Sequence, residues 1–163
     1  MFRTFLLSLL MAFAALAPLA GCSTANAADE VFATADGAIR GYDPVAYHTE
    51  SKAVRGRADI THAWNGATWR FASVANRDRF AADPERYAPR YGGFCAYGTA
   101  QGYKVSTDPD AFAIVDGRLY LNYSKPVQTT WNQDRPGFIR QADANWTRLE
   151  HAAYEKPGDA KAK

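Results

Sequence analysis

Two cysteines and three histidines are the side chains of this 163-residue chain suited to soft nucleophilic, redox or metal-binding chemistry. The cysteines stand in unlike surroundings. Cys22 closes the run Leu19-Ala20-Gly21-Cys22 behind an apolar leader, whereas Cys95 sits in Tyr91-Gly92-Gly93-Phe94-Cys95-Ala96-Tyr97. If Cys22 is consumed by processing or lipid attachment, one thiol remains, and one thiol cannot make an internal disulfide. It must be inert, metal-bound or chemically active. Gly92-Gly93 permits an unusual backbone path and close approach to a ligand. A helical turn opened by Phe94-Cys95-Ala96-Tyr97-Gly98 would aim free N–H groups at the sulfur, lowering its pKa and favouring thiolate. Such a sulfur would form a sulfenic acid, a mixed disulfide or a metal bond. The competing role is that of a small buried hydrophobe.

His48 and His62 are the histidines of the body of the chain, His151 lying at its fraying end. Either can pair with Cys95 and serve as the base that activates the thiol. Together they would complete an N₂S site for copper or another soft metal. Their spacing does not decide between those roles and a structural or surface one. Tyr91 and Tyr97, with Tyr103, Tyr120 and Tyr123, are candidates for the walls of a ligand pocket beside Cys95, the competing and stronger role being the half-buried aromatic layer of a small sheet. Asp43, just before Pro44, suits a turn. No phosphate-binding Gly loop, Ser/His/Asp arrangement or paired-carboxylate pattern stands out.

The elements that must carry these residues begin with two hairpins. Residues 59–64 and 67–71 flank Asn65-Gly66, and residues 111–115 and 118–122 flank Asp116-Gly117. Both dipeptides suit a two-residue type I′ turn, which needs positive φ. Each hairpin is expected to offer one apolar face, with Ile60, His62 and Trp64 on one side of their strand and Trp69 and Phe71 sharing a side of the next. Ser73 reads as the N-cap of a helix through Val74 to Ala82, ended by Asp83-Pro84, with a further turn over Pro84 to Tyr87. Ser124 reads as the cap of a helix entered at Pro126 and broken at Pro136-Gly137. Beyond the break Phe138, Ala142, Trp146 and Leu149 recur at helical spacing, a stripe expected to lie on the sheet. Strands and helices in this order, without a βαβ rhythm, predict one small α+β domain: two β-hairpins packed against short helices and a C-terminal amphipathic helix.

Arg3 followed by the apolar stretch from Phe5 to Leu19 reads as a secretory leader over residues 1–21, too short to remain as a stable membrane span. Leu19 to Cys22 resembles the lipobox of bacterial lipoproteins, and Ser23 after it resembles the outer-membrane sorting choice. That resemblance implies a lipid anchor on Cys22, membrane attachment and a periplasm-facing place in the cell envelope. The competing exit is cleavage at Ala25-Asn26-Ala27, giving a soluble periplasmic protein. Residues 22–30 would be a flexible tether, 31–151 the domain and 152–163 a disordered tail. About 140 residues after the leader suffice for one domain and its core. With Arg3 gone from the 19 basic residues, 18 stand against 17 acidic ones, leaving no field to collect nucleic acid.

The stretch Trp64-Asn65-Gly66-Ala67-Thr68-Trp69-Arg70-Phe71-Ala72-Ser73, with Asn76-Arg77-Asp78-Arg79-Phe80-Ala81-Ala82-Asp83-Pro84-Glu85-Arg86-Tyr87, is similar to the YHS domain and its "NGxxYxFxS…RFxxDPExY" hairpin and helix. Asp43-Pro44-Val45 resembles its opening "DPV". The continuation from Tyr91-Gly92-Gly93-Phe94-Cys95 to Tyr123 looks like a secreted, longer branch of such proteins, some with selenocysteine at the position of Cys95, which would imply redox chemistry there. In the metal-handling branch the motifs read "DPVCGM" and "FCSxxC". The corresponding positions here are Ala46, Ala72 and Asn76, so that branch's thiolate ligands are missing. Three readings follow. Cys95 is the centre of a thiol-redox or sensor module working with a redox partner protein; or, with His48 and His62, it binds copper, another soft metal or a small ligand, exchanging metal with a delivery partner; or the domain is a non-catalytic interaction module.

Overall fold

The computed structural model describes residues 30–154. The expected leader, the lipobox-like run ending at Cys22, the expected tether up to residue 29 and the part of the expected tail from residue 155 lie outside the described residues. The architecture is α+β, with three separate two-stranded antiparallel sheets and six α-helices among the described residues. No helix among them is long and apolar enough to cross a membrane.

The two expected hairpins form where their turns dictate. Strands β3 (Arg57–Trp64) and β4 (Ala67–Phe71) close with Trp64 opposite Ala67, and β5 (Asp108–Val115) and β6 (Arg118–Asn122) close with Val115 opposite Arg118. Asn65 (φ 47°) and Gly66 (φ 73°), like Asp116 (φ 49°) and Gly117 (φ 72°), take the paired left-handed conformations of a type I′ turn. A third hairpin, β1 (Ala33–Thr34) with β2 (Gly37–Ala38), has two residues per strand, too few to leave any alternation in the sequence.

The helices are α1 (Pro44–Thr49), α2 (Val74–Ala82), α3 (Pro84–Tyr87), α4 (Ala96–Ala100), α5 (Lys125–Trp131) and α6 (Arg135–Leu149). Ser73 Oγ accepts the Asn76 N–H, Ser124 Oγ accepts the Val127 N–H, and Pro84 opens α3, as their types predict. Pro136-Gly137 does not break the chain's last helix. The break falls at a 3₁₀ turn over Asn132–Asp134, and Asp134 Oδ1 caps α6 by accepting the Gly137 N–H at 2.9 Å. Proline is tolerated in that first turn because its missing N–H has no intrahelical partner to lose. Glycine suits the cap because a Cβ there would lie 2.0 Å from Asp134 Oδ2 and displace the capping carboxylate.

Asp43 holds the first half together. Its side chain is fully buried; Oδ1 accepts the N–H groups of Val45 (2.8 Å) and Ala46 (3.3 Å), capping α1, and Oδ2 accepts Ala72 N–H (2.8 Å) and Asn76 Nδ2 (2.7 Å). One carboxylate thus joins α1, the end of β4 and α2. Around it lies a first core of Val45, Tyr47, Trp69, Phe71 and Phe80, with ring centroids 5.1 Å apart for Trp69–Phe80 and 5.2 Å for Phe71–Phe80.

The single apolar face expected of each hairpin holds for β3 and β4 but not for β6. Leu119 and Leu121 enter the first core, while Tyr120 faces a second, formed with Tyr91, Ala96, Ala100, Trp131 and Ala142. Strand β6 is therefore a wall between two cores, and from Leu119 to Asn122 every residue is buried. The aromatic stripe of α6 meets the segment carrying α4, not chiefly the sheet: Phe138 lies 5.1 Å from Tyr97, and Trp146 lies 5.8 Å from Tyr91. Tyr154, placed by sequence in the tail, packs its ring on Phe94 at 5.1 Å and on Phe32 at 6.0 Å.

Candidate functional site around Cys95

The path to Cys95 is a tight left-handed bend. Tyr91 (φ 56°), Gly92 (φ 59°) and Gly93 (φ 83°) turn the chain in succession, a conformation costly for any residue but glycine. The close approach that these glycines allow is to the protein itself. A Cβ on Gly92 would fall 1.8 Å from the carbonyl oxygen of Glu30, and one on Gly93 would fall 2.6 Å from Ile39 Cγ2. The bend is pinned by Phe32 N–H donating to Gly92 O (2.9 Å) and by Thr107 Oγ1 donating to Gly93 O (3.0 Å). Phe94 then seals the inner side, its ring tilted against Phe32 and edge-on to Tyr154.

A helical turn does open within residues 94–98, and Cys95 is the N-cap of the helix it begins, α4. Its sulfur accepts the Gly98 N–H at 3.4 Å, and the Tyr123 N–H just past β6 reaches the same atom at 3.2 Å. Thr99 closes the turn, its N–H and Oγ1 both donating to Cys95 O at 2.8 and 2.9 Å. The remaining neighbour is Asn122. The thiol donates toward Asn122 Oδ1 at 3.8 Å, and that oxygen also accepts the Tyr97 N–H at 3.3 Å.

The N–H groups arrive, but the expected fall in thiol pKa does not. Cys95 is 1% exposed, and burial pushes the thiol up, outweighing the downward pull of the Gly98, Tyr123 and Tyr97 amides. The physical reason is one of scale. Removing a charge from water costs more than a few neutral hydrogen bonds return, so the resting sulfur is a protonated thiol.

The other predicted residues are placed elsewhere. His48, on α1, stands edge-on to the ring of Tyr87 at 5.4 Å; burial, and to a lesser degree Arg86, hold its pKa below the ordinary histidine value against the pull of the Tyr87 backbone. Its Nε2 is buried without a hydrogen-bond partner. His62, on β3, lies edge-on to Phe80 at 6.1 Å. Neither histidine is bonded to the Cys95 sulfur, and no group of three or more His, Cys, Asp or Glu side chains suited to a metal ion occurs among the described residues. Tyr91 is buried against Tyr120 and Trp146, and its hydroxyl donates to Asp143 Oδ1 at 3.0 Å beside the Arg90–Asp143 ion pair. Tyr97 shares the second core through Phe138, and only its backbone addresses the site. An open groove of about 430 Å³ is lined by Trp64, Arg90, Tyr91, Arg118 and Trp146 among others; Cys95 is not part of its lining.

The residue that sequence reasoning missed is Asn122, 27 positions from the cysteine; Tyr123, expected beside Cys95 as a pocket wall, meets the sulfur through its backbone N–H. The one available signal was compositional: a carboxamide closing the strand Arg118-Leu119-Tyr120-Leu121-Asn122, where the pattern offers only apolar neighbours.

No family model matches the chain, and neither a curated protein nor a solved structure matches it.

Proposed function

We propose that this chain is an exported YHS-like thiol module whose reacting atom is the Cys95 sulfur, switched between a resting thiol and an oxidised form by a small oxidant. The observation that carries this reading is the polar lining of a buried sulfur. Backbone N–H groups of Gly98 and Tyr123 point at Sγ, and the Asn122 carboxamide lies beside it. A cysteine serving only as a small hydrophobe gains nothing from such donors. Donors of this kind stabilise negative charge on sulfur as it develops, while burial keeps the thiol protonated and unreactive until then. A site 1% exposed also excludes bulky reagents, which favours small oxidants over protein disulfides as the first reactant. Export and attachment to the cell envelope through Cys22 belong to the same proposal and rest on the leader and lipobox pattern.

The test is peroxide treatment of the folded full-length protein, followed by a sulfenic-acid trap and peptide mass spectrometry that separates the Cys95 peptide from the Cys22 peptide. A trapped adduct on Cys95, reversed by added thiol, is the expected result. Absence of the adduct from folded protein at every peroxide level, with full labelling after denaturation, would show the sulfur to be structural.

A further inference from the structure

Asn122 is fully buried at the end of β6, yet its Nδ2 has no hydrogen-bond partner. The orientation of the carboxamide is set by Tyr97, whose N–H requires the oxygen, not the nitrogen, at 3.3 Å. A buried unpaired amide is costly, and leucine would fill the same volume without that cost. Asn122 is also joined to the sulfur twice over, directly through Oδ1 at 3.8 Å and through its chain neighbour Tyr123, whose N–H donates to Sγ at 3.2 Å.

We infer that Asn122 is a positioning residue for Cys95, its carboxamide accepting from the thiol at rest and turning over to donate from Nδ2 once the sulfur has lost its proton or gained an oxygen, and that the oxidant is a small hydroperoxide. This inference rests on the redox reading of Cys95. In the resting state the S–H proton lies toward Oδ1. A thiolate has no proton to give, and the lone pairs of Oδ1 then face a negative sulfur. A half-turn about the terminal torsion of Asn122, which is broad and roughly two-fold, replaces that repulsion with an N–H donor. The Tyr97 N–H released by the turn is free to donate to the sulfur, toward which it already contributes. The titratable and charged side chains on the segments packed against α4 are Arg90 and Tyr91 on the bend, Tyr97 on α4 itself, Tyr103 and Lys104 after it, Arg118 and Tyr120 on β6 with Tyr123 just past it, Lys125 on α5, and Arg135, Arg140, Asp143 and Arg148 on α6; the hydrogen bonds at the sulfur are made with backbone N–H groups and Asn122, not with these side chains.

In the reaction the thiolate attacks one peroxide oxygen, so an S–O bond forms as the O–O bond breaks. Sulfur is oxidised by two electrons, and the departing oxygen leaves as water or an alcohol, taking up the proton that the thiol released. The product is a sulfenic acid whose oxygen can accept from the otherwise unpaired Nδ2. An external thiol then attacks the sulfenic sulfur to give a mixed disulfide and water, and a second thiol frees Cys95 as the disulfide of the two reductants forms.

The test compares wild type with Asn122→Leu for hydrogen-peroxide-dependent sulfenic-acid formation at Cys95 across pH, with the thermal midpoint as a check on folding. The variant is expected to fold and to react about ten- to a hundredfold more slowly, the worth of one hydrogen bond to a charged group, with its pH profile displaced to higher pH. Equal rates and profiles in the two proteins would overturn the role of Asn122 while leaving the redox reading standing. No adduct in wild type would remove both. If Asn122→Leu does not fold, NMR of the wild-type protein decides: the Asn122 side-chain amide signals are expected to move with the Cys95 titration, and their staying fixed would overturn the inference.

Discussion

Substituting alanine at Gly92 and at Gly66 separates the cost of a left-handed backbone from the cost of a close approach. The two glycines have similar positive φ, 59° and 73°. Alanine in this conformation costs roughly 1–2 kcal/mol at either site. At Gly66 nothing lies within 4 Å of the new Cβ, so that conformational cost is the whole effect. At Gly92 the Cβ would lie 1.8 Å from Glu30 O and 2.9 Å from Glu30 C. The obstacle is backbone, which no rotamer change relieves. Clearing it requires a shift of about 1.5 Å in the segment from Glu30 to Phe32, as steric packing leaves no slack for overlap. That shift breaks the 2.9 Å bond from Phe32 N–H to Gly92 O and unseats Val31 and Phe32, which are 8% and 3% exposed. Losing half of two side-chain burials worth about 1.5–3 kcal/mol each, plus a hydrogen bond near 1 kcal/mol, adds about 2.5–4 kcal/mol. Urea unfolding followed by tryptophan fluorescence should therefore give a loss of about 1–2 kcal/mol for Gly66→Ala and about 3.5–6 kcal/mol for Gly92→Ala. Equal losses in the two variants would refute the packing of the N-terminal segment on the bend that leads to Cys95.

Asp43→Ala leaves four donors without an acceptor, the buried N–H groups of Val45 and Ala46 and the buried Asn76 amide, with the half-buried Ala72 N–H, and should cost about 4 kcal/mol or more in the same unfolding assay; a loss below about 1 kcal/mol would show that water replaces the carboxylate. His48 gives a pH dependence of definite sign. Burial depresses its folded pKa below the ordinary histidine value of 6.5, so the unfolded chain binds the proton more readily, and the stability it contributes is complete above about pH 6.5 and declines as pH falls through the folded value. His48→Phe, which keeps the aromatic edge against Tyr87, should flatten the decline in thermal midpoint between pH 7 and pH 5; an unchanged slope would assign that decline to other groups.

Much of the framework was legible because it depends on residues acting on their own backbone. Asn65-Gly66 and Asp116-Gly117 accept positive φ at little cost wherever they occur, Ser73 and Ser124 carry their capping oxygens with them, and Asp83-Pro84 ends one helix and opens the next within four bonds of itself. The helical turn expected over residues 94–98 belongs to this class, since Gly98, whose N–H meets the sulfur, lies only three residues beyond Cys95. Even the misplaced break at Pro136-Gly137 was a matter of a few residues, turned by the Asp134 cap.

What packing alone decided is the chemistry of the sulfur. Whether a thiol ionises depends on how much water remains around it and on which dipoles face it, and both are set by segments distant along the chain: the Glu30–Phe32 segment under the bend, and β6, which brings Asn122 and Tyr123 to Cys95. The continuous apolar run of Leu119, Tyr120 and Leu121 concealed that β6 serves two cores, because alternation is visible only where one face meets water. Local rules brought the first N–H groups of α4 to Cys95, and long-range burial outweighed their downward pull on the thiol, since desolvation scales with the whole surroundings of an atom and a cap with a single turn.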